Sequence, residues 1–279
     1  GLLAANLLSL KNRTPVVYYN LELHCEDSVK TVKEITENEI EKKYIKKAHL
    51  TITQDQERAK IISTENGVDG SSITTLPVCA EGEPYREKSD YLKAQLGLQA
   101  DDRIILYAGY LADWALCKEI VAAARTWPEK WVLVMHSHGR NNDQYLQCMK
   151  RVTGSNVRFS LDPVHYDQLS VLLASADIGV ALYRNLGSNF NLIGSASGKL
   201  AHYLKCGLPV IVNSYPGVSK TVSEYSCGIG VDDPGQMREA IERIFHDYEN
   251  MCQSAFRCYD EQYRFSRHFS RVVDKISQL

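Results

Sequence analysis

From residue 103 onward, short and nearly continuous apolar runs recur, each followed by a loop containing Gly, Pro, Asn or Asp and then a helical stretch. The runs are 103–108 (RIILYA), 131–135 (WVLVM), 156–159 (NVRF), 178–182 (IGVAL), 208–213 (LPVIVN) and 228–231 (GIGV). Helical stretches fall at about 114–126, 142–152, 166–175, 198–205 and 217–225. A strand that is apolar at successive positions has to be covered on both faces, which a parallel sheet achieves with crossover helices above and below it. The pattern predicts a doubly wound α/β domain.

Residues 1–100 carry the same theme less completely. A helix-like start (LLAANLLSL) leads through a turn at 12–15 into the strand VVYYNLEL, then a long helix from Ser28 to Lys47 with Ser28 as its N-cap. The strand HLTIT, a helix opened by Asp55 and the strand ITTLPV (73–78) follow. The polar stretch 79–90 (CAEGEPYREKSD) reads as a linker. A chain of 279 residues exceeds what one core usually supports. We therefore expect two lobes, residues 1–90 and 91–279, with ligands bound where the carboxyl ends of both sheets face a cleft. A start without Met fits an internal piece of a longer chain.

Charge narrows the partners. The net charge is −2, with −2 in the first hundred residues and 0 in the rest, so bulk charge argues against nucleic acid. No apolar run is long enough to span a bilayer and no secretory signal is visible. Eight scattered cysteines without a CxxC pair suggest a reducing, cytoplasmic location and no zinc site.

Three loops can carry chemistry. Gly109, with Tyr110 after it, follows the first strand of the second lobe; such a glycine either lets backbone approach a ligand or makes a tight turn. His136 and His138 follow the second strand on one side of the chain, without the third ligand a metal would need, and so read as pocket lining or hydrogen-bonding groups. Arg140 is either a phosphate partner or a solvated arginine. The richest loop precedes a helix opening at Ser197, with Lys199 in its first turn. Small residues expose backbone N–H groups, the helix amino terminus is partly positive and the lysine adds a full charge, a combination suited to a diphosphate. The alternative is a structural loop whose lysine faces water. The spacing is not that of a Walker loop.

The tract SGKLAHYLKCGLPVIV resembles the S-x-K-x-x-E-Y-x-x-x-G-x-P-V-I stretch of GT-B glycosyltransferases, in particular glycosyltransferase family 4 (group 1). ILYAGYL is similar to that family's first strand and Gly-rich turn in the second lobe. NVRFSLDPVHYDQLSVLLASADIGVALYR and PGVSKTVSEYSCGIGVDD are similar to its later tracts, and PVVYYNLELH to a strand of its first lobe. The resemblance implies a nucleotide-sugar donor held by the second lobe, an acceptor on the first, retention of anomeric configuration, and no metal or other cofactor. It implies that backbone at Ser197, Gly198 and Lys199 meets the diphosphate, that Ser195 and Ala196 lie near the sugar, and that Pro163 and Val164 flank the base. The resemblance leaves the acceptor open between a carbohydrate and a lipid-linked molecule; the latter would add a position at the membrane periphery to the cytoplasmic expectation from the cysteines.

This sequence departs from the family at several positions. The family's two glutamates, with seven residues between them, fall at Gly194 and His202; the second usually anchors ribose, a task left here to His202. Its usual arginine and lysine fall at Tyr110 and Ala115, with Lys118 or Arg140 as replacements. The first lobe is short of two or three βα units. No catalytic residue is assigned, and a non-catalytic homologue that binds a sugar nucleotide or a protein partner is the alternative. The lysines at 42, 43, 46 and 47 share the helix with Glu34, Glu37, Glu39 and Glu41, which favours a solvated, ion-paired helix face over an anionic membrane surface.

Overall fold

Two wholly parallel sheets organise the chain, and the structure, a computed structural model, describes residues 1–25, 27, 31–138 and 143–279. The first sheet has the order β1-β2-β3, formed by β1 (Val17–Tyr19), β2 (Leu50–Thr53) and β3 (Ile73–Thr75), with α1 (Leu2–Asn12), α2 (Val32–Ile45) and α3 (Gln56–Asn66) alongside. The second is six-stranded: β4 (Arg103–Ala108), β5 (Trp131–His136), β6 (Val157–Ser160), β7 (Ile178–Ala181), β8 (Val210–Asn213) and β9 (Gly228–Val231), in the order β6-β5-β4-β7-β8-β9. Its helices are α4 (Tyr91–Leu96), α5 (Cys117–Ala124), α6 (Asp143–Lys150), α7 (Leu169–Leu173), α8 (Ser188–Asn191), α9 (Gly198–Lys205), α10 (Pro216–Tyr225), α11 (Met237–His246) and α12 (Tyr248–Cys258). The last helix, α13 (Phe265–Ile276), follows a π turn at Tyr259–Tyr263.

The continuous apolar runs have the burial they predict. Alternate residues of β4 enter two separate layers, Ile104 and Leu106 with α9 and α12, Ile105 and Tyr107 with α5 and α11. Several expected elements are shorter. The helix expected from Ser28 starts at Val32 under a capping box of Thr31 and Glu34, which satisfies two backbone donors reciprocally; Ser28 itself lies outside the described residues. The stretch 114–126 is broken by Leu116 in the left-handed region (φ 52°), which separates a 3-10 turn, Asp113–Ala115, from α5. The stretch 166–175 likewise divides into a 3-10 turn at Tyr166–Gln168 and α7.

Residues 79–90, expected as a linker, are stitched to the carboxyl-terminal region. Ala80 N–H donates to the Tyr263 carbonyl, Phe265 N–H donates to the Ala80 carbonyl, and the Tyr259 hydroxyl lies 3.0 Å from the Ala80 and 2.7 Å from the Gly82 carbonyl. From there α13 returns to the first sheet, where Phe265 and Val272 pack on Leu50, Ile52 and Leu76.

The strand order reverses between β4 and β7, and there the ladder parts. Pairing with β5 continues to Ala108↔His136, whereas pairing with β7 stops at Leu106↔Gly179. Tyr203 of α9 fills the gap: its hydroxyl accepts from Ala108 N–H (2.7 Å) and donates to the Val180 carbonyl (3.3 Å). A crevice at such a switch point is the usual ligand position in open parallel sheets.

Candidate functional site

Above this gap lies a cavity of about 280 Å³, lined by Ala108 at the end of β4 and Gly109 just after it, by His136 at the end of β5 and His138 just after it, and by Val164 and Tyr166 from the segment before α7. Leu169 and Leu173 form its apolar wall, and α9 contributes Lys199, His202 and Tyr203. Gly109, with φ of +154°, turns the chain at the end of β4, and a side chain there would run 3.4 Å from the Lys199 alkyl chain and ammonium.

Lys199 is the electrostatic centre. Its Nζ donates to the Tyr107 hydroxyl (3.0 Å), which donates onward to the Tyr110 carbonyl (2.6 Å). The ammonium lies 4.1 Å from the Tyr107 ring centroid, 4.9 Å from that of Tyr183 and 5.7 Å from that of Trp114. Among the described residues no carboxylate forms an ion pair with it. Three aromatic faces stabilise a cation but do not replace its hydration, so burial pushes the Lys199 pKa down to about 8. A charge held without a carboxylate partner at the amino end of α9 adds to the positive end of the helix dipole.

The cage is itself rigid. Trp114 stacks parallel to Tyr183 at 6.2 Å, and the Trp114 turn is held by Arg184, whose N–H donates to the Trp114 carbonyl while its guanidinium reaches Asp113 (3.0 Å) and Glu119 (2.6 Å). The Tyr183 hydroxyl bonds Ser197 Oγ (2.8 Å), which also accepts from Leu200 N–H as the α9 N-cap. The Ser197 hydroxyl is therefore committed to structure.

His202 and His136 are held as neutral polar groups. Burial pushes His202 down to about 4, with Lys205 adding to the effect, and its ring meets Tyr166 edge-on at 5.9 Å. Burial, then His138, lowers His136 as well. Ser160 Oγ donates to Gln95 Oε1, so His136 Nδ1–H donates to Ser160 Oγ (3.0 Å) and Nε2 is left as an acceptor.

Of the residues expected to bind a donor, Gly109, Val164, Lys199 and His202 line this one cavity. Ser197 and Gly198, the N-cap and first residue of α9, are not part of its lining. Ser195 and Ala196 lie in a 3-10 turn outside the lining, with the Ser195 carbonyl held by Val78 N–H. Tyr110 and Pro163 are exposed and do not line it, and Arg140 lies outside the described residues. The cage residues Tyr107, Trp114 and Tyr183 were not foreseen: each reads as an ordinary aromatic of a strand or turn, and only the fold brings them round one ammonium. Gly194, where a glutamate was the comparison, has no room for any side chain. A Cβ there would stand 2.1 Å from the Gly217 carbonyl oxygen.

Residues 177–272 match the family model described as Glucosyltransferase 3-like, C-terminal domain. No curated protein sequence matches the chain. Among solved structures, HepE of Anabaena in complex with UDP-glucose superposes with a TM-score of 0.78 at 14% identity, covering 100% of this chain and 76% of that one. Sucrose-phosphate synthase of Thermosynechococcus elongatus gives 0.74 at 17% identity over 98% of this chain and 71% of its own. WaaG, a glycosyltransferase involved in lipopolysaccharide biosynthesis, gives 0.65 at 16% identity over 95% and 76%. The architecture is the GT-B fold these structures share.

Proposed function

We propose that the cavity binds a nucleoside diphosphate sugar and that the protein transfers the sugar to an acceptor. The observation that carries this reading is the Lys199 ammonium, caged by aromatic rings without a carboxylate, at the amino end of α9 and beside Gly109. Both the helix terminus and the lysine stabilise negative charge, and in glycosyl transfer that charge develops on the departing diphosphate. The apolar wall of Val164, Leu169 and Leu173 with Tyr166 suits a base, and neutral His202 can exchange hydrogen bonds with a ribose hydroxyl. The match of residues 177–272 to a glucosyltransferase domain and the UDP-glucose bound by HepE support a uridine nucleotide of glucose or a related hexose. In this reading transfer proceeds with retention and without a metal, to a carbohydrate or lipid-linked acceptor.

A second reading, a binding protein without turnover, is favoured by one observation: neither position of the expected glutamate pair carries a carboxylate, and at Gly194 none can be accommodated. Calorimetric titration of UDP, GDP and ADP tests the shared premise. Saturable binding of one of them, lost in Lys199→Ala, is the expected result, and silence for all three overturns both readings. Incubation with the matching nucleotide-sugar then separates the two: release of the nucleoside diphosphate marks an enzyme, and an intact donor marks a binder.

A further inference from the structure

The loop that leads into α9 is held from the other lobe. Arg58 of α3 is 1% exposed, and among the described residues no carboxylate forms an ion pair with it. Its guanidinium is satisfied instead by oxygens of amide groups: Nη1 donates to Gln54 Oε1 (3.1 Å), Nε to the Leu192 carbonyl (3.1 Å) and Nη2 to the Asn189 carbonyl (2.8 Å). Gln54 is fixed in turn by donation to the Asn20 carbonyl (2.6 Å). Three residues further along the same loop, the Ser195 carbonyl accepts from Val78 N–H (2.8 Å). Carbonyls 189, 192 and 195 are thus gripped in succession by donors outside the second sheet, two residues short of the α9 N-cap and four short of Lys199.

Side chains add to the grip. Asn189 accepts from Leu23 N–H (3.1 Å) and donates to Glu22 (2.8 Å), and Ser188 donates to Asp27 through both N–H and hydroxyl (2.9 and 2.7 Å). On the opposite side, Gly194 and Gly217 bring the loop and α10 into backbone contact. A guanidinium buried without a carboxylate loses its hydration, and persists where every donor finds a well-placed acceptor. The planar fork of arginine reaches several separated acceptors at once, which a lysine ammonium does not.

We infer that Arg58 is a positioning residue for the Lys199 site, setting the ligand affinity of the second lobe from the first. The inference rests on the nucleotide-sugar reading of the cavity. Two measurements on the full chain test it: calorimetric titration with UDP, and hydrogen exchange of the peptides spanning 187–197. Arg58→Met and Arg58→Lys are both expected to weaken UDP binding about tenfold or more, since small displacements of binding groups are costly. Both should raise exchange in 187–197 while β4 and β5 stay protected. Wild-type affinity in the folded variants, even with a lowered melting temperature, overturns the proposal. Should Arg58→Met not fold, the milder Arg58→Lys decides alone, and wild-type affinity there overturns the proposal equally. If the wild-type chain binds no nucleotide, the cavity reading fails by itself; the exchange arm still decides on Arg58, and unchanged exchange in 187–197 rejects it.

Discussion

The ring of Tyr203 lies directly on the backbone of Gly179, so closely that a Cβ on the glycine would stand 2.5 Å from the ring. This contact lets the tyrosine hydroxyl enter the gap between β4 and β7 and satisfy Ala108 N–H at the floor of the cavity. Gly179→Ala should therefore destabilise the protein by about 1–3 kcal/mol, the usual range for overpacking a filled core. Tyr203→Phe, which leaves a buried donor unpaired, should lose about 1–3 kcal/mol. Urea unfolding measures both, and stability within 0.5 kcal/mol of wild type, the range of ordinary surface changes, would contradict the wedge.

Lys199 links pH to both stability and binding. Its folded pKa of about 8 lies below the unfolded value, so between the two the unfolded chain binds more protons and stability from this group rises with pH. Below pH 8 the cost of the buried charge is present in full. Lys199→Met should remove this rise, and the wild-type minus variant difference, followed by urea midpoints from about pH 7 to 10, isolates it. A bound diphosphate favours the ammonium, so wild-type affinity should fall as pH passes above about 8. Affinity independent of pH across that value would remove Lys199 from the anion site.

Restoring the missing carboxylate at Gly194 should fail. Either Gly194→Ala or Gly194→Glu drives a Cβ into the Gly217 carbonyl, separating the loop from α10, with a destabilisation of roughly 2 kcal/mol or more for a clash with backbone that cannot swing aside. A Gly194→Glu variant that melts like wild type and gains transfer activity would show the packing argument to be wrong.

His24 supplies a second pH signal, of opposite sign. Glu41, buried on α2 and held by the Tyr18 hydroxyl (3.2 Å) and Asn20 Nδ2 (3.0 Å), receives His24 Nδ1 at 2.8 Å, and this bond raises the His24 pKa. A raised basic pKa contributes stability that is present below the unfolded value near 6.5 and lost as pH rises through the folded one. The melting temperature of wild type relative to His24→Gln should be higher at pH 5.5 than at pH 8.5; an equal difference at both would mean that the pair contributes nothing.

The second sheet was legible because burial on both faces leaves a continuous apolar signature, and each of its six expected strands is present. The first sheet was harder: β1 and β3 keep only three residues each of the longer runs VVYYNLEL and ITTLPV, and pairing to β2 ends one backbone bond past each, at Asn20 N–H to the Ile52 carbonyl and Leu76 N–H to the Thr53 carbonyl, an endpoint periodicity does not encode. Glu41 reads as part of a solvated charged face, and its burial follows from Tyr18, Asn20 and His24 arriving from another element. Arg58 was not singled out by the sequence, since two of its acceptors are carbonyls more than 130 positions away. At the cavity, glycine and lysine were visible from loop chemistry, while the aromatic cage needed β4, β7 and the Trp114 turn to converge.

The return of α13 to the first sheet bears on the order in which the molecule can be made. Leu50, Ile52 and Leu76 emerge early in synthesis, but Phe265 and Val272, which cover them, emerge only after the whole second sheet has been translated. The first sheet therefore keeps one face open until the second has been translated, and closes after it although it is made before it. On the ribosome, the second lobe is the unit that can reach its final packing first, and a nascent chain stalled before residue 265 would expose an apolar face that chaperones recognise.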